Sequence, residues 1–171
     1  RETLERGDVI AVLEEAKAAG KTRLIGYSGD NDAAAYALSC GRFDALQTSY
    51  NVADQANEET ISAAHAAGMG VIVKRPIANA AWTWEPPVGD YARTYYERLA
   101  ELAYPSLDAE TALRFTLAHE GVSVAIVGTT KPGRWAENRT MLDRGPLGAD
   151  RVTEIRDRWS RTSRPDWVGL T

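Results

Sequence analysis

Short apolar runs alternate along the chain with amphipathic stretches that end in glycine. Three of these stretches end at Gly20, Gly68 and Gly121, and glycine readily takes the left-handed conformation that terminates a helix. An alanine-rich stretch ends in the same way at Gly41. The apolar run after each glycine predicts a β-strand, because it is short and is β-branched or bounded by turn residues. The four predicted strands cover residues 22–28, 45–50, 70–74 and 122–128.

The stretches between the strands have the period of amphipathic helices. In residues 7–19, Val9, Leu13 and Ala16 fall on one face, while the charged residues lie away from it. Asn57 stands in the N-cap position of the next clear pattern. A segment rich in proline and tryptophan, residues 76–89, predicts an irregular connection. Further helices are predicted over residues 57–67, 91–103, 108–119 and 150–161.

Strict alternation of helices and strands predicts an α/β fold with parallel strands and right-handed crossovers. This pattern leaves two architectures, a doubly wound sheet and a (β/α) barrel. A dinucleotide-binding doubly wound sheet requires G-x-G-x-x-G directly after a strand, whereas Gly68-Met69-Gly70 lacks the third glycine and precedes its strand. All four predicted strands end in polar, hydrogen-bonding residues, as a site on the top face of a barrel requires.

Composition narrows the class of protein. A chain of 171 residues, 44% hydrophobic and 26% charged, predicts a single domain over residues 1–171. The net charge of -4 disfavours a general nucleic-acid binder. Cys40 is the only cysteine, which excludes an internal disulfide and fits a reducing, cytoplasmic setting. No apolar run reaches the roughly 20 residues that cross a bilayer, so we expect no membrane partner.

Four sequence stretches, in this order, resemble the second half of the aldo-keto reductase family. They are residues 20–28 with their Gly-x-Ser ending, residues 46–51, residues 70–77, and residues 128–138 with the motif Arg-x-x-Glu-Asn. The resemblance implies a TIM-barrel-type (β/α)8 fold, of which this chain covers roughly strands 5–8 with their helices, a half-barrel. It also implies an NADP(H)-dependent oxidoreductase that reduces small aldehydes or ketones to alcohols.

The resemblance assigns part of the chain to the nicotinamide end of the cofactor. By position, Ser28 and Gln47 match residues that hydrogen-bond the carboxamide. Gly29 stands where the family often has asparagine, and Lys74 stands where many members stack an aromatic ring. A lysine stem can still cover a ring with its methylene groups. Tyr50, at a predicted strand end, and Trp82, in the irregular segment, are expected near the substrate.

The resemblance assigns the last strand and its connection to the adenosine end. Thr129, Thr130 and Arg134 match residues that meet the 2′-phosphate, and an arginine fork suits phosphate oxygens. Gly128 stands where some members have a phosphate-binding lysine, which Lys131 replaces from a neighbouring position. The remaining assignments are Glu137 and Asn138 to the adenine, and Arg75 and Ile77 to the pyrophosphate.

Several of these residues could have a purely structural role instead. Ser28 and Gln47 could simply satisfy strand ends, and Arg134 with Glu137 could be an ordinary surface pair three residues apart on a helix. Lys74 and Arg75 could be solvated. Trp82 could pack against a neighbouring loop, and His65 and His119 are expected to be structural.

The catalytic tetrad of the resembled family, a tyrosine, an aspartate, a lysine and a histidine, comes from strands 2 to 4. It is therefore expected upstream of Arg1, and the chain alone is predicted to be inactive. No metal site is predicted. Two alternatives remain: a non-catalytic half-barrel module that binds NADP(H) or another phosphate ligand, and self-association through exposed strand edges.

Overall fold

Four parallel strands form one sheet in the computed structural model, which describes residues 1–86 and 88–170. The strands are β1 (Gly26–Ser28), β2 (Ala45–Ser49), β3 (Gly70–Lys74) and β4 (Val124–Ile126). They are hydrogen-bonded in the order β1-β2-β3-β4, and every pair is parallel. Each strand falls inside a predicted run, which confirms the predicted alternation.

Helices connect the strands, and each predicted helical stretch matches one to within two residues at either end. A short helix over Glu2–Arg6, which was not predicted, precedes the first of these, and Gly7 at φ 77° separates the two. The segment predicted to be irregular forms tight 3₁₀ turns over Ala78–Thr83, and its Pro87 lies outside the described residues. The helices are α1 (Glu2–Arg6), α2 (Asp8–Ala18), α3 (Asn31–Ser39), α4 (Glu58–Ala66), α5 (Asp90–Leu102), α6 (Ala109–Leu117), α7 (Arg134–Leu142) and α8 (Ala149–Thr162).

The hydrophobic core lies between the helices and one face of the sheet. Successive side chains of a strand point to opposite faces, and burial alternates accordingly along β3, whereas in β2 Ser49 is buried as well as Leu46 and Thr48. Leu46, Val71 and Val73 are fully buried, as is Ile61 of α4.

The opposite face of the sheet is open. Register places Ser28, Gln47, Ile72 and Val124 in one row across the four strands. We call this side of the sheet, with Lys74 and Ile126 in the next row, the open face. Val124 is 51% exposed and Ile126 is 46% exposed, so apolar strand residues meet solvent here.

Within the described residues, no helix has the length and hydropathy needed to cross a bilayer.

Candidate functional site

Two polar side chains, those of Ser28 and Gln47, lie together on the open face. They are register partners on β1 and β2, and the Gln47 side-chain amide donates to the Ser28 hydroxyl at 3.0 Å. Ser28 is the last residue of its strand, so the pair lies towards the carboxyl ends of the strands. A parallel sheet brings these ends to one edge, where α/β proteins place their ligand sites. The structure therefore brings together the two side chains assigned to the carboxamide.

Gly29 is buried directly behind this pair. A Cβ atom at position 29 would overlap the hydroxyl and ring of Tyr27. The Tyr27 ring is itself packed on Phe43, with centroids 5.9 Å apart. The asparagine that the resembled family often carries here does not fit unless Tyr27 moves, which is a physical reason for glycine.

Lys74, the last residue of β3, forms an ion pair with Asp30. Its Nζ lies 2.8 Å from Asp30 Oδ2, and the Asp30 side chain is fully buried. The other Asp30 oxygen accepts from the Thr48 hydroxyl at 2.9 Å, the Ser49 amide at 2.6 Å and the Asn57 amide group at 3.1 Å. Lys74 is consequently a half-buried, paired cation rather than a solvated one.

Asp30 was not among the predicted site residues. It follows Ser28 and Gly29 immediately in the sequence, so its proximity to the strand end was visible there. Its pairing with Lys74 was not visible, because the two residues are far apart in the chain and meet only when β1 and β3 flank β2.

A cleft of about 430 Å³ lies at the carboxyl ends of β3 and β4. Four predicted cofactor residues line it: Lys74, Arg75, Ile77 and Gly128. Two segments distant in sequence thus contribute to one concave surface, as a ligand site requires.

Arg75 also has contacts outside this cleft. Its Nη1 donates to the Ser49 hydroxyl at 3.2 Å and to the Leu170 carbonyl. Its backbone has a φ of 57°, a left-handed conformation that is uncommon outside glycine, and its carbonyl accepts from the Asn51 side chain at 3.0 Å. The structure therefore holds Arg75 between the cleft and the C-terminal residues.

The residues assigned to the adenosine end cluster on the β4–α7 connection. Arg134 forms an ion pair with Glu137 on the first turn of α7, which matches the alternative of a surface pair. Thr129 and Thr130 are exposed, and the Thr129 hydroxyl accepts from the Lys131 amide at 3.0 Å. Asn138 lines a groove between α6, β4 and α7. These residues follow β4 in the chain, whereas Ser28 lies on β1 at the opposite end of the strand order.

Tyr50 does not lie where a substrate-facing residue would. Its ring is fully buried, stacked on Phe115 at 5.5 Å and edge-on to His119 at 5.3 Å. Burial raises the pKa of its hydroxyl. The reason is the two-residue period of β2, which puts Tyr50 on the helix side with Leu46 and Thr48. Its position therefore corrects the expectation drawn from its place at a strand end.

Trp82 is half-buried in the turns over Ala78–Thr83 and packs against the hydrophobic core. This position matches the alternative of packing rather than a free flap over a substrate.

A buried polar cluster beside the strand ends was not predicted from the sequence. Asp54 Oδ2 accepts from the Tyr95 hydroxyl at 3.1 Å and from the Leu170 amide at 3.2 Å. Arg98, 4% exposed, lies 4.0 Å from the other carboxylate oxygen. Burial raises the pKa of Asp54 to about 6, although Arg98 acts in the opposite direction. No local motif signals these residues, because they come from three separate segments.

Among residues 1–86 and 88–170, no group of three His, Cys, Asp or Glu side chains is placed to hold a metal ion.

Comparison with solved structures shows the same fold in three structures of two reductases. AKR11C1 from Bacillus halodurans matches in its holo form with TM-score 0.69 and in its apo form with TM-score 0.72, both at 24% identity. The alignments cover 87% of this chain and 54% and 55% of those chains. An aldo-keto reductase from Klebsiella pneumoniae, solved in complex with NADPH, matches at 18% identity with TM-score 0.68, covering 95% of this chain and 57% of that chain. The chain thus spans little more than half the length of these proteins.

No curated protein is significantly similar in sequence. The model of the aldo/keto reductase family matches residues 2–159, which is nearly the whole chain. Together with the parallel strands and the strand-end polar residues, this match shows that the chain belongs to the aldo/keto reductase family.

Proposed function

We propose that this chain forms the cofactor-binding part of an NADP(H)-dependent reductase of aldehydes and ketones. The observation that carries the proposal is the Ser28–Gln47 pair, hydrogen-bonded at 3.0 Å on the open face. Its hydroxyl and amide groups can donate to and accept from a carboxamide. Family membership gives this geometry its chemical meaning, because members of the family use NADP(H).

The described residues offer groups of suitable chemistry for each part of such a cofactor. Ser28 and Gln47 would hold the carboxamide, and Arg75 and Ile77, which line the cleft, would lie along the pyrophosphate. The partly exposed Arg134 would hold the 2′-phosphate, with Glu137 and Asn138 at the adenine. The nicotinamide would supply a hydride to the carbonyl carbon. The chain's own residues would bind and orient the cofactor.

We further propose that the four strands are half of an eight-stranded barrel. The chain aligns with little more than half of each similar structure, and its sheet is open on the side that would face a barrel interior. The tyrosine, aspartate, lysine and histidine of the catalytic tetrad would come from the other half. The chain alone would then bind cofactor without turnover.

Binding of NADPH tests the proposal at Arg134. We expect Arg134→Ala to weaken NADPH binding about tenfold or more and NADH binding much less, because a charge-assisted phosphate contact is lost. Arg139→Ala is the matched control, since Arg139 lies on the same helix in an exposed pair with Asp143. Fluorescence titration measures both. Equal affinity of the two variants for NADPH would contradict the assigned phosphate role.

Turnover separates a reductase part from a non-catalytic binding module. We expect the chain alone to oxidise no NADPH above the blank with simple aldehydes, in a spectrophotometric assay. Turnover by the chain alone would contradict the assignment of the tetrad to another part of the barrel. Turnover gained by adding a polypeptide with the complementary strands would support a reductase and exclude a purely non-catalytic module.

We also propose that the isolated chain self-associates through the open face and the unpaired edges of β1 and β4. A closed two-fold barrel is not the expected product. Two copies joined edge to edge would bring α2, which precedes β1, and α7, which follows β4, to the same seam. We therefore expect open, concentration-dependent association.

A further inference from the structure

The chain's C-terminal residues cross the carboxyl ends of the strands. We call residues 167–170 the strap. The Asn31 side chain accepts from the Gly169 amide at 2.7 Å and donates to the Gly169 carbonyl at 2.9 Å. The Leu170 amide donates to the buried Asp54 carboxylate at 3.2 Å. The strap's backbone is thus bound by side chains from the first residue of α3 and from the loop that follows β2.

The beginning of the strap has a separate anchor. Trp167 is 6% exposed and packs against Trp159, with centroids 5.5 Å apart. The guanidinium carbons of Arg98 and Arg164 lie 5.3 Å and 5.0 Å from its ring centroid. Arg98 also donates to the Val168 carbonyl at 2.8 Å. The last two strap residues can therefore be altered without removing this anchor.

Arg75 joins the strap to the cleft. One guanidinium nitrogen, Nη1, contacts both the Leu170 carbonyl and the Ser49 hydroxyl, and the Ser49 hydroxyl donates to the same carbonyl at 2.9 Å. Arginine carries five N–H donors in a planar fork, so a guanidinium fixed through Nη1 can still present other donors. Arg75 lines the cleft together with Lys74.

We propose that the strap positions Arg75 for an anion in the cleft. Binding of the strap to the strand ends and binding of a diphosphate then strengthen each other. Leu170 and Ser49 are positioning residues, because they act through Arg75. A long side chain loses rotamer entropy when it binds a ligand, and Arg75 has already lost much of it to the strap. The identity of the anion, the diphosphate of NADP(H), rests on the proposed function, whereas the link between strap and Arg75 does not.

Hydrogen exchange without ligand tests that link. We expect Arg75→Ala to speed exchange of the Leu170 amide several-fold, because the strap end loses the cation on its carbonyl. Arg139→Ala, on α7, is the control and should leave this exchange unchanged. Resolved amide exchange by NMR measures both variants. An unchanged Leu170 rate in Arg75→Ala would overturn the proposal.

Ligand binding tests the coupling in both directions. A variant that ends at Val168 keeps the Trp167 anchor, and Ser49→Ala is a second variant if the truncated chain unfolds. We expect either change to weaken binding of inorganic pyrophosphate and NADP⁺ about fivefold. In the unaltered chain, saturating pyrophosphate should slow exchange of the Leu170 amide, since coupling between two sites is reciprocal. Unchanged or tighter binding by the variants would overturn the proposal.

The two probes separate this proposal from the proposed function. If pyrophosphate binds in a strap-dependent way and NADP⁺ does not bind, the result supports the positioning role of the strap and contradicts the assignment of NADP(H) as cofactor. If NADP⁺ binds and neither variant weakens its binding, the result supports the cofactor assignment and contradicts the role of the strap. Binding of neither probe to the unaltered chain would contradict both.

Discussion

The direction of each side chain at the strand ends follows from the two-residue period of a strand. Gln47 and Ser49 project from one face of β2, and Leu46, Thr48 and Tyr50 belong to the other. The position of Tyr50 at the end of a predicted strand suggests a functional role, but the two-residue period counted from Leu46 places its ring against the helices.

Asp54 gives a prediction at the residue scale. Its pKa is raised by burial from 3.8 to about 6, so between these values the folded chain holds a proton that the unfolded chain has lost. The contribution of Asp54 to stability therefore falls as pH rises from about 4 to about 6, by at most about 1.4 kcal/mol per pH unit. Above this window the unfavourable contribution is fully present and constant.

The Asp54→Asn variant isolates this contribution. We expect the free energy of unfolding of the unaltered chain, minus that of the variant, to decrease across pH 4 to 6 and then to level off. Urea denaturation at a series of pH values measures the difference and cancels the titration of other carboxylates. A difference that stays flat or increases over this range would show that the Asp54 pKa is not raised.

At the scale of elements, Asn57 shows how tertiary contacts replace a local role. Its position just before α4 predicted an N-cap, and α4 does begin at Glu58. The side chain makes no cap, however, and accepts from the Asn31 amide at 2.8 Å while it donates to Asp30 and to the Ser49 carbonyl. Asn57 therefore ties the start of α3 to the end of β2.

Two substitutions distinguish a tie between elements from a cap. We expect Asn57→Ala to destabilise the fold by about 2–3 kcal/mol, since several buried polar groups lose their partner. Asp108 is the comparison, because its side chain caps α6 by accepting from the Thr111 amide at 2.7 Å. We expect Asp108→Ala to remove only about 1 kcal/mol. Chemical denaturation measures both, and equal losses would contradict the larger role of Asn57.

At the scale of the whole molecule, one face of the sheet is packed and the other is open. Helices cover Leu46, Val71 and Val73, while Val124 and Ile126 remain about half exposed. Exposed apolar strand residues beside an unpaired edge favour association with further chain.

Self-association gives the prediction at this scale. We expect Val124→Lys to reduce concentration-dependent association, because a charge on the open face must be desolvated on contact. Val124 is 51% exposed, so the substitution leaves the packed side of the sheet intact. Val12→Lys, at 64% exposure on the outside of α2, is the control. Sedimentation velocity measures association, and an equal response of the two variants would count against the open face as the contact.

The sequence by itself determined the order of elements, the parallel α/β class and the family. These properties depend on local periodicity, glycine stops and short motifs, all of which are contiguous in the chain. The resemblance to the family also singled out Ser28 and Gln47, whose strand-end positions bring them to one edge of the sheet.

Only the tertiary structure decided the partners of the buried charges. The Lys74–Asp30 pair, the cluster around Asp54, and the contact of Arg75 with Leu170 join segments that are distant in sequence. These pairings depend on packing geometry. Buried polar groups need hydrogen-bond or ionic partners, and the packing decides which groups are close enough, whatever their separation in the chain. The strap is the clearest case, because its residues carry no motif and gain their role only by crossing the strand ends.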